Sequence, residues 1–351
     1  MATDVVYHDV FVKHQLSPGH PESPERLKSA LMFLERGRLL EDSDTNLFTP
    51  SRKSIDHIMS VHSMEYLDVL RRTSESGGGF FTLDTSANEY TYEAAIMAAN
   101  GSVETVERIQ KGIIQNAYVL CRPPGHHAES NRAFGFCFVN NIAVAANYLV
   151  EFEGLDRVMI IDYDAHHGNG TQNTFYSSNK ILYVGLHQDG RTLFPGSGFP
   201  DEIGKGEGEG YNVNLSMYPG AGDLSYGIAF EQLIWPIVDS FKPQFILVSV
   251  GFDGHVSDPL TSLGLTRSGF SMMNRELNSM AKSHASGKVA FFLEGGYNID
   301  IVGSGSQNLV EELAGKDVTL FAEKHEESKK SVEYSENLII YLQEKLDGIL
   351  L

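Results

Sequence analysis

Four stretches of the chain share one pattern: a strand-length apolar run, rich in β-branched and aromatic residues, passes at once into a loop of Gly, His, Asp or Pro. Ala117-Tyr118-Val119-Leu120-Cys121 leads to Arg122-Pro123-Pro124-Gly125-His126-His127, and Val158-Met159-Ile160-Ile161 leads to Asp162-Tyr163-Asp164-Ala165-His166-His167-Gly168. Phe245-Ile246-Leu247-Val248-Ser249-Val250 leads to Gly251-Phe252-Asp253, and Val289-Ala290-Phe291-Phe292-Leu293 leads to Glu294-Gly295-Gly296-Tyr297. Strands apolar on both faces belong to parallel sheets covered on both sides. Helical periodicity over Phe138–Val150, Leu224–Asp239 and Ser268–Ser283 fills the intervals. Alternating strands and helices predict an α/β fold with a mainly parallel central sheet. Pro21–Leu40 reads as a helix opened by Pro24 and Glu25, with Leu27, Leu31 and Leu34 on one side. The tail from Glu323 to Leu351 reads as a terminal helix docked on the rest.

In open parallel sheets, ligands bind beyond the carboxyl ends of the strands, where all four polar loops fall. Loops from residue 122 to residue 297 must then meet at one place, and no Pro- or Ser-rich linker divides the chain, so residues 1–351 are expected to form a single domain. The loop Gly204-Lys205-Gly206-Glu207-Gly208-Glu209-Gly210 has neither Walker nor dinucleotide-fingerprint spacing and carries two glutamates that repel phosphate, so it is read as a flexible connection.

The polar loops carry the chemistry. On an extended strand, residues i, i+2 and i+4 share a face, so Asp162, Asp164 and His166 project together. A polar turn gives the same alternation by chance, but two carboxylates and an imidazole suit a divalent metal. Asp164 and His166 supply two ligands and Asp253, at the end of another strand, a third, which matches a catalytic Zn²⁺ site with an open position for water. The adjacent His126 and His127 each need a hydrogen-bond partner to fix a tautomer, and Asp162 and Asn169 are the partners expected. Tyr297, on a glycine turn, is placed to donate a hydrogen bond to an oxyanion. A structural histidine pair and a rim tyrosine are the plainer alternatives for each taken alone.

Composition narrows the class. The 42% hydrophobic and 21% charged content is that of an ordinary globular protein. No apolar run approaches the ~20 residues of a membrane-spanning helix, and the N-terminal run Met1–Tyr7 is acidic where a secretory signal is basic. Two cysteines, Cys121 and Cys137, fit a reducing compartment, so a cytoplasmic location is expected. The formal charge of −19 argues against direct binding to nucleic acid. Nothing in the pattern specifies an oligomeric state.

The strings Arg122-Pro123-Pro124-Gly125-His126-His127-Ala128, Gly135-Phe136-Cys137, Asp162 through Gln172, Gly251-Phe252-Asp253 and Leu293 through Asn298 stand in one order along the chain, with His20-Pro21-Glu22-Ser23-Pro24-Glu25-Arg26 before them. Together they resemble the histone deacetylase and acetylpolyamine amidohydrolase superfamily, and Asn169, where one branch has aspartate, resembles its class II. The resemblance implies a three-layer α/β/α arginase-deacetylase fold and a zinc-dependent amidohydrolase that releases acetate. It implies Asp164, His166 and Asp253 as zinc ligands and His126, supported by Asp162, and His127, supported by Asn169, as proton-handling groups. It further implies Tyr297 as the group that polarises the scissile carbonyl, and a structural potassium ion near Asp162, Asp164, His166 and Leu186.

For the substrate, the resemblance implies a channel at Gly135 and Phe136 with Phe194 opposite, and Asp84 at its rim to grip substrate backbone. Leu260 stands where a polyamine-selective relative has glutamate, which favours acetylated lysine of peptides or proteins over acetylpolyamines or other small acetylated amines. An arginase-like dinuclear site is disfavoured by Gly254 and His255, where a second aspartate is needed. An inactive acetyl-lysine reader is disfavoured because no chemical residue is missing, and a serine hydrolase because no Gly-x-Ser-x-Gly elbow joins a strand to a helix. Which histidine is the principal base stays open at this level.

Overall fold

A computed structural model describes residues 2–321 and 323–351; Met1, the first residue of the N-terminal run, lies outside them. The strands are β1 (Thr3–Val6), β2 (Thr45–Phe48), β3 (Gly78–Phe80), β4 (Ser86–Asn88), β5 (Asn116–Val119), β6 (Val158–Asp162), β7 (Ile181–Gln188), β8 (Asn212–Met217), β9 (Phe245–Val250) and β10 (Val289–Leu293). Eight of them form one sheet in the order β2-β1-β5-β10-β9-β6-β7-β8, parallel throughout, while β3 and β4 pair as a separate antiparallel hairpin. The four apolar runs occupy the middle of the sheet as β5, β10, β9 and β6. Every residue of these four strands is buried, as expected for strands covered on both faces.

The helices are α1 (Glu25–Arg36), α2 (Met64–Glu75), α3 (Thr91–Gln110), α4 (Asn141–Glu151), α5 (Asn169–Phe175), α6 (Asp223–Ala229), α7 (Trp235–Phe241), α8 (Arg267–His284), α9 (Ile299–Leu313) and α10 (Lys329–Leu346). α3 and α4 pack together on one face of the sheet; α1, α8 and α9 pack together on the other. This is the three-layer α/β/α arrangement expected. The helix read over Pro21–Leu40 is shorter, because Gly37 closes α1 and Arg38 takes a left-handed conformation before a 3₁₀ turn. The single helix read over Leu224–Asp239 is interrupted by a π turn at Phe230–Ile234, just before Pro236, which cannot donate to the α ladder. The Gly204–Gly210 loop is a compact turn rather than a loose connection: Gly208 N–H donates to Lys205 and Gly210 N–H donates to Ile203 at 2.7 Å. Among the described residues no helix is long and apolar enough to cross a membrane.

Register decides where the loops meet. Ile161 lies opposite Val248, Val250 opposite Leu293, and Phe292 opposite Val119, so the carboxyl ends of β6, β9, β10 and β5 stand level. The tail then fastens loops around that end. On α10, Tyr334 donates to Asp189 at 3.2 Å and accepts from Arg191 at 3.0 Å, and Lys345 pairs with Asp201 at 3.0 Å. These contacts brace the segment that carries Leu193 and Phe194.

Below the same end runs a fully buried ionic network. Arg122 donates to Glu22 with two nitrogens, one of them at 2.7 Å, and Arg26 donates to Glu22 at 3.1 Å. Arg122 also donates to the carbonyls of Phe11 and His14, and Arg26 to those of Glu294 and Gly296, at 2.5 and 2.7 Å. The N-terminal loop is thereby tied to the β10 loop. Burial raises the Glu22 carboxyl, but the guanidinium groups of Arg122 and Arg26 outweigh it and hold the group at about 2, against an ordinary 4.5. A pKa depressed on folding contributes stability above the unfolded value, and that contribution is lost as pH falls through the folded one. Glu22→Gln is therefore expected to lose about 3–5 kcal/mol at pH 7. In urea unfolding between pH 4.5 and 2 the wild type should lose stability more steeply than the variant, and parallel pH profiles would contradict the pairing.

Candidate active site

Each polar loop contributes from a different strand end. After β6 the chain turns so that Asp164 and His166 face Asp253 from the β9 loop, and their ligand-type atoms all lie within 4.8 Å of one another. His166 Nδ1 is 2.9 Å from Asp253 Oδ2 and 3.2 Å from Asp164 Oδ1. Backbone N–H groups hold the remaining oxygens: Ala165 donates to Asp253 at 2.9 Å and Gly295 donates to Asp164 at 2.7 Å. A Cβ at Gly295 would lie 2.3 Å from Asp253 Oδ2 and 2.6 Å from Asp164 Oδ2, so only glycine lets the β10 loop come this close.

Two carboxylates this near to each other, both buried, need positive charge between them. Burial and the charge of Asp164 push Asp253 up to about 7, while burial of Asp164 is outweighed by His126 and His166, which pull it down. One imidazole and two carboxylates, with room beside them, form the donor set of a divalent cation. The residues present fit such an ion.

The two histidines stand beside this cluster, ring centroids 4.0 Å apart. His126 Nδ1 is 3.0 Å from Asp162 Oδ2, and His127 Nδ1 is 2.8 Å from Asn169 Oδ1, the two partners expected from the sequence. The partners differ in charge and the rings differ accordingly. Burial lowers His126, but Asp162, Asp164 and Glu294 more than compensate and bring it up to about 10. Burial and the neighbouring His126 and His166 push His127 well below the ordinary histidine value.

Above the cluster opens a cavity of about 230 Å³ lined by Asp84, His127, Gly135, Phe136, His166, Leu193, Phe194, Leu260 and Tyr297. Phe136 is set by two successive left-handed residues, with φ of 53° at Gly135 and 68° at Phe136, and its N–H donates to Thr85 Oγ1 at 3.0 Å. A Cβ on Gly135 would come within 2.4 Å of the His127 ring and 3.0 Å of Phe194, so this glycine separates the ring from the wall. Phe136 meets Tyr297 edge-on at 6.0 Å and Phe194 meets His127 edge-on at 5.2 Å. At the mouth Asp84 accepts from Thr82 and Thr85, and Leu260 is exposed. Burial and then the Asp253 charge push the Tyr297 phenol well above its ordinary value, so it is a donor. Its backbone N–H is held by Asp258 Oδ2 at 2.8 Å, and the Arg26 guanidinium lies 5.4 Å from its ring centroid.

The structure thus brings together the donor cluster, the two histidines with their partners and the channel residues singled out in the sequence, and it adds others. Glu294 is fully buried, accepts from the N–H groups of Gly125 at 2.6 Å and His126 at 3.1 Å, and is raised by burial to about 7. The signal for it was a carboxylate placed directly after an apolar strand. Asp258 and Leu193 carry no such signal, since each acts through a loop conformation that the sequence does not reveal.

A family model described as the histone deacetylase domain matches residues 20–313. The chain is 39% identical over 300 residues to a probable deacetylase of Archaeoglobus fulgidus, across 86% of this chain and 82% of that protein. It is 34% identical over 305 residues to a histone deacetylase-like amidohydrolase of Pseudomonas aeruginosa, across 87% of this chain and 80% of that protein. The crystal structure of the HDA15 HD domain superposes with a TM-score of 0.89 at 32% sequence identity, covering 99% of this chain and 95% of that chain. With a matching family model, curated relatives and a solved neighbour in agreement with the fold, the chain belongs to the histone deacetylase family.

Proposed function

We propose that this chain is a single-domain, metal-dependent amidohydrolase that removes acetyl groups from lysine side chains of peptides or proteins. The observation that carries the reading is the cavity: aromatic walls lead from Asp84 and Leu260 at the mouth to His127, His166 and Tyr297 at the floor. Such a shape suits an unbranched acylated chain with its amide over the Asp164–His166–Asp253 cluster. Zn²⁺ is the ion best suited to that set; bound there it supplies Lewis acidity and a water of lowered pKa. A potassium ion near Asp162, Asp164, His166 and Leu186 would serve structure rather than chemistry. Two buried free cysteines suit a reducing cytoplasm.

The protein's own groups then divide the work. His127 faces the cavity with its Nδ1 already engaged, so Nε2 takes the proton of the attacking water as its oxygen bonds to the acetyl carbon. Tyr297, kept protonated by burial, donates to the carbonyl oxygen as it becomes an oxyanion. As the C–N bond breaks, the leaving nitrogen takes the proton from His127, the remaining hydroxyl proton passes to the amine, and ammonium and acetate are released. His126, held positively charged by Asp162, stabilises the negative charge that passes between water and carbonyl. Phe136 and Phe194 exclude bulk water along the acyl chain, and Asp84 accepts hydrogen bonds from substrate backbone.

A small acetylated amine such as an acetylpolyamine is the second reading. Apolar Leu260 at the mouth disfavours it, because it offers no charge to a distal ammonium. In parallel acetate-release assays the acetyl-lysine peptide should have the higher kcat/KM; comparable or better turnover of acetylspermidine would move the assignment to small amines. Chelation should abolish turnover, with recovery on adding Zn²⁺, and Asp253→Ala should no longer retain about one equivalent of metal. Chelator-resistant turnover would remove the metal from the mechanism. Tyr297→Phe should lower kcat by about 10²–10³-fold, the usual cost of one oxyanion donor. A near-normal kcat in that variant contradicts the role given to the phenol.

A further inference from the structure

An asparagine amide is nearly symmetric in shape and opposite in polarity at its two ends, so its neighbours decide which end faces which partner. Asn169, at the start of α5, stands between His127 and Glu129. Its Oδ1 lies 2.8 Å from His127 Nδ1, while its Nδ2 donates to Glu129 Oε1 at 2.9 Å and to the His127 carbonyl at 3.4 Å. The Glu129 carboxylate also accepts from Asn173, one turn further along α5, at 3.3 Å, and from Arg132 at 3.5 Å.

A carboxylate only accepts. Were the Asn169 amide reversed, its oxygen would sit 2.9 Å from a carboxylate oxygen, two acceptors with no proton between them. Glu129 therefore demands the NH₂ end and leaves the oxygen for His127. Facing an oxygen, Nδ1 of His127 must carry a hydrogen, and the neutral ring then has its lone pair on Nε2. For His126 the acceptor-only Asp162 achieves the same directly; for His127 the negative charge acts one residue further back.

We propose that Glu129 is a positioning residue: by fixing the polarity of the Asn169 amide it sets the tautomer of His127 and keeps Nε2 unprotonated toward the cavity. The inference rests on the reading of His127 as the base. Its strongest consequence concerns pairs of substitutions. An aspartate at 169 accepts with either oxygen and needs no orienting partner, but opposite an intact Glu129 it brings two carboxylates together. The effect of Asn169→Asp should thus depend on what stands at 129.

The test uses the full metal-loaded chain as wild type, Glu129→Leu, Asn169→Asp and the double variant. Glu129→Leu should lower kcat about 10-fold with little change in KM, as is usual for loss of a group behind a catalytic one. Asn169→Asp alone should also lose activity, and the double variant should recover to within about threefold of wild type, a coupling of the size seen between touching groups. ¹⁵N-histidine NMR, with the His127 signals assigned by their loss in His127→Ala, reads the tautomer without any turnover. Wild type should show the Nδ1–H form, and Glu129→Leu should populate the Nε2–H form. Unchanged kcat or tautomer in Glu129→Leu, or additive losses in the double variant, overturns the proposal. If the tautomer follows residue 129 while wild type releases no acetate, the positioning relation stands and the base assignment falls.

Discussion

Four carboxylates, Asp162, Asp164, Asp253 and Glu294, are buried at one end of the sheet, and the surrounding structure is organised to make that charge tolerable. Isolated ionised carboxylates in such surroundings are costly, so each must be met by a hydrogen-bond donor or a cation. Gly295, Ala165, Gly125 and His126 offer backbone N–H groups, and His126 and His166 offer imidazoles. Those donors arrive on loops from β5, β6 and β10, which is possible because the parallel strands end level. At Gly168, Gly251 and Gly295 this crowding leaves no space for even one more carbon, since a Cβ at each would lie 2.3 Å from an oxygen of Asp162, Asp164 or Asp253.

The same logic extends outward. The segment from Glu22 to Arg26 at the start of α1 is far from β10 in sequence, yet Arg26 reaches the carbonyls of Glu294 and Gly296, and Glu22 pairs with Arg26 and Arg122 at once. The turn that carries Tyr297 is thus held from below by an ionic network and from the side by Asp258. A phenol that must meet an oxyanion needs this kind of fixed backbone.

Much of the fold and floor was legible in the sequence because both rest on short-range patterns. Continuous apolar runs identified β5, β6, β9 and β10, and the polar residues that follow them directly identified the donor cluster and the histidine partners. The outer strands β2 and β8 were not singled out, since Thr45–Phe48 is short and half-exposed and Asn212–Met217 mixes polar residues with apolar ones. The π turn at Phe230 is invisible to a search for helical period. Glu129, Asp258 and Leu193 escaped for another reason: each matters through a neighbour distant in sequence, Asn169, Tyr297 or Phe194, and only the folded chain shows which.

The contrast between floor and mouth has a practical consequence for redesign. At the floor, positions such as 135 and 295 are set to the width of a single methyl group, and any change there alters whether the chemistry runs at all. At the mouth, Asp84 and Leu260 reach solvent. Substitutions there have room to change which acylated chain enters while leaving the machinery beneath untouched, so the two properties can be engineered separately.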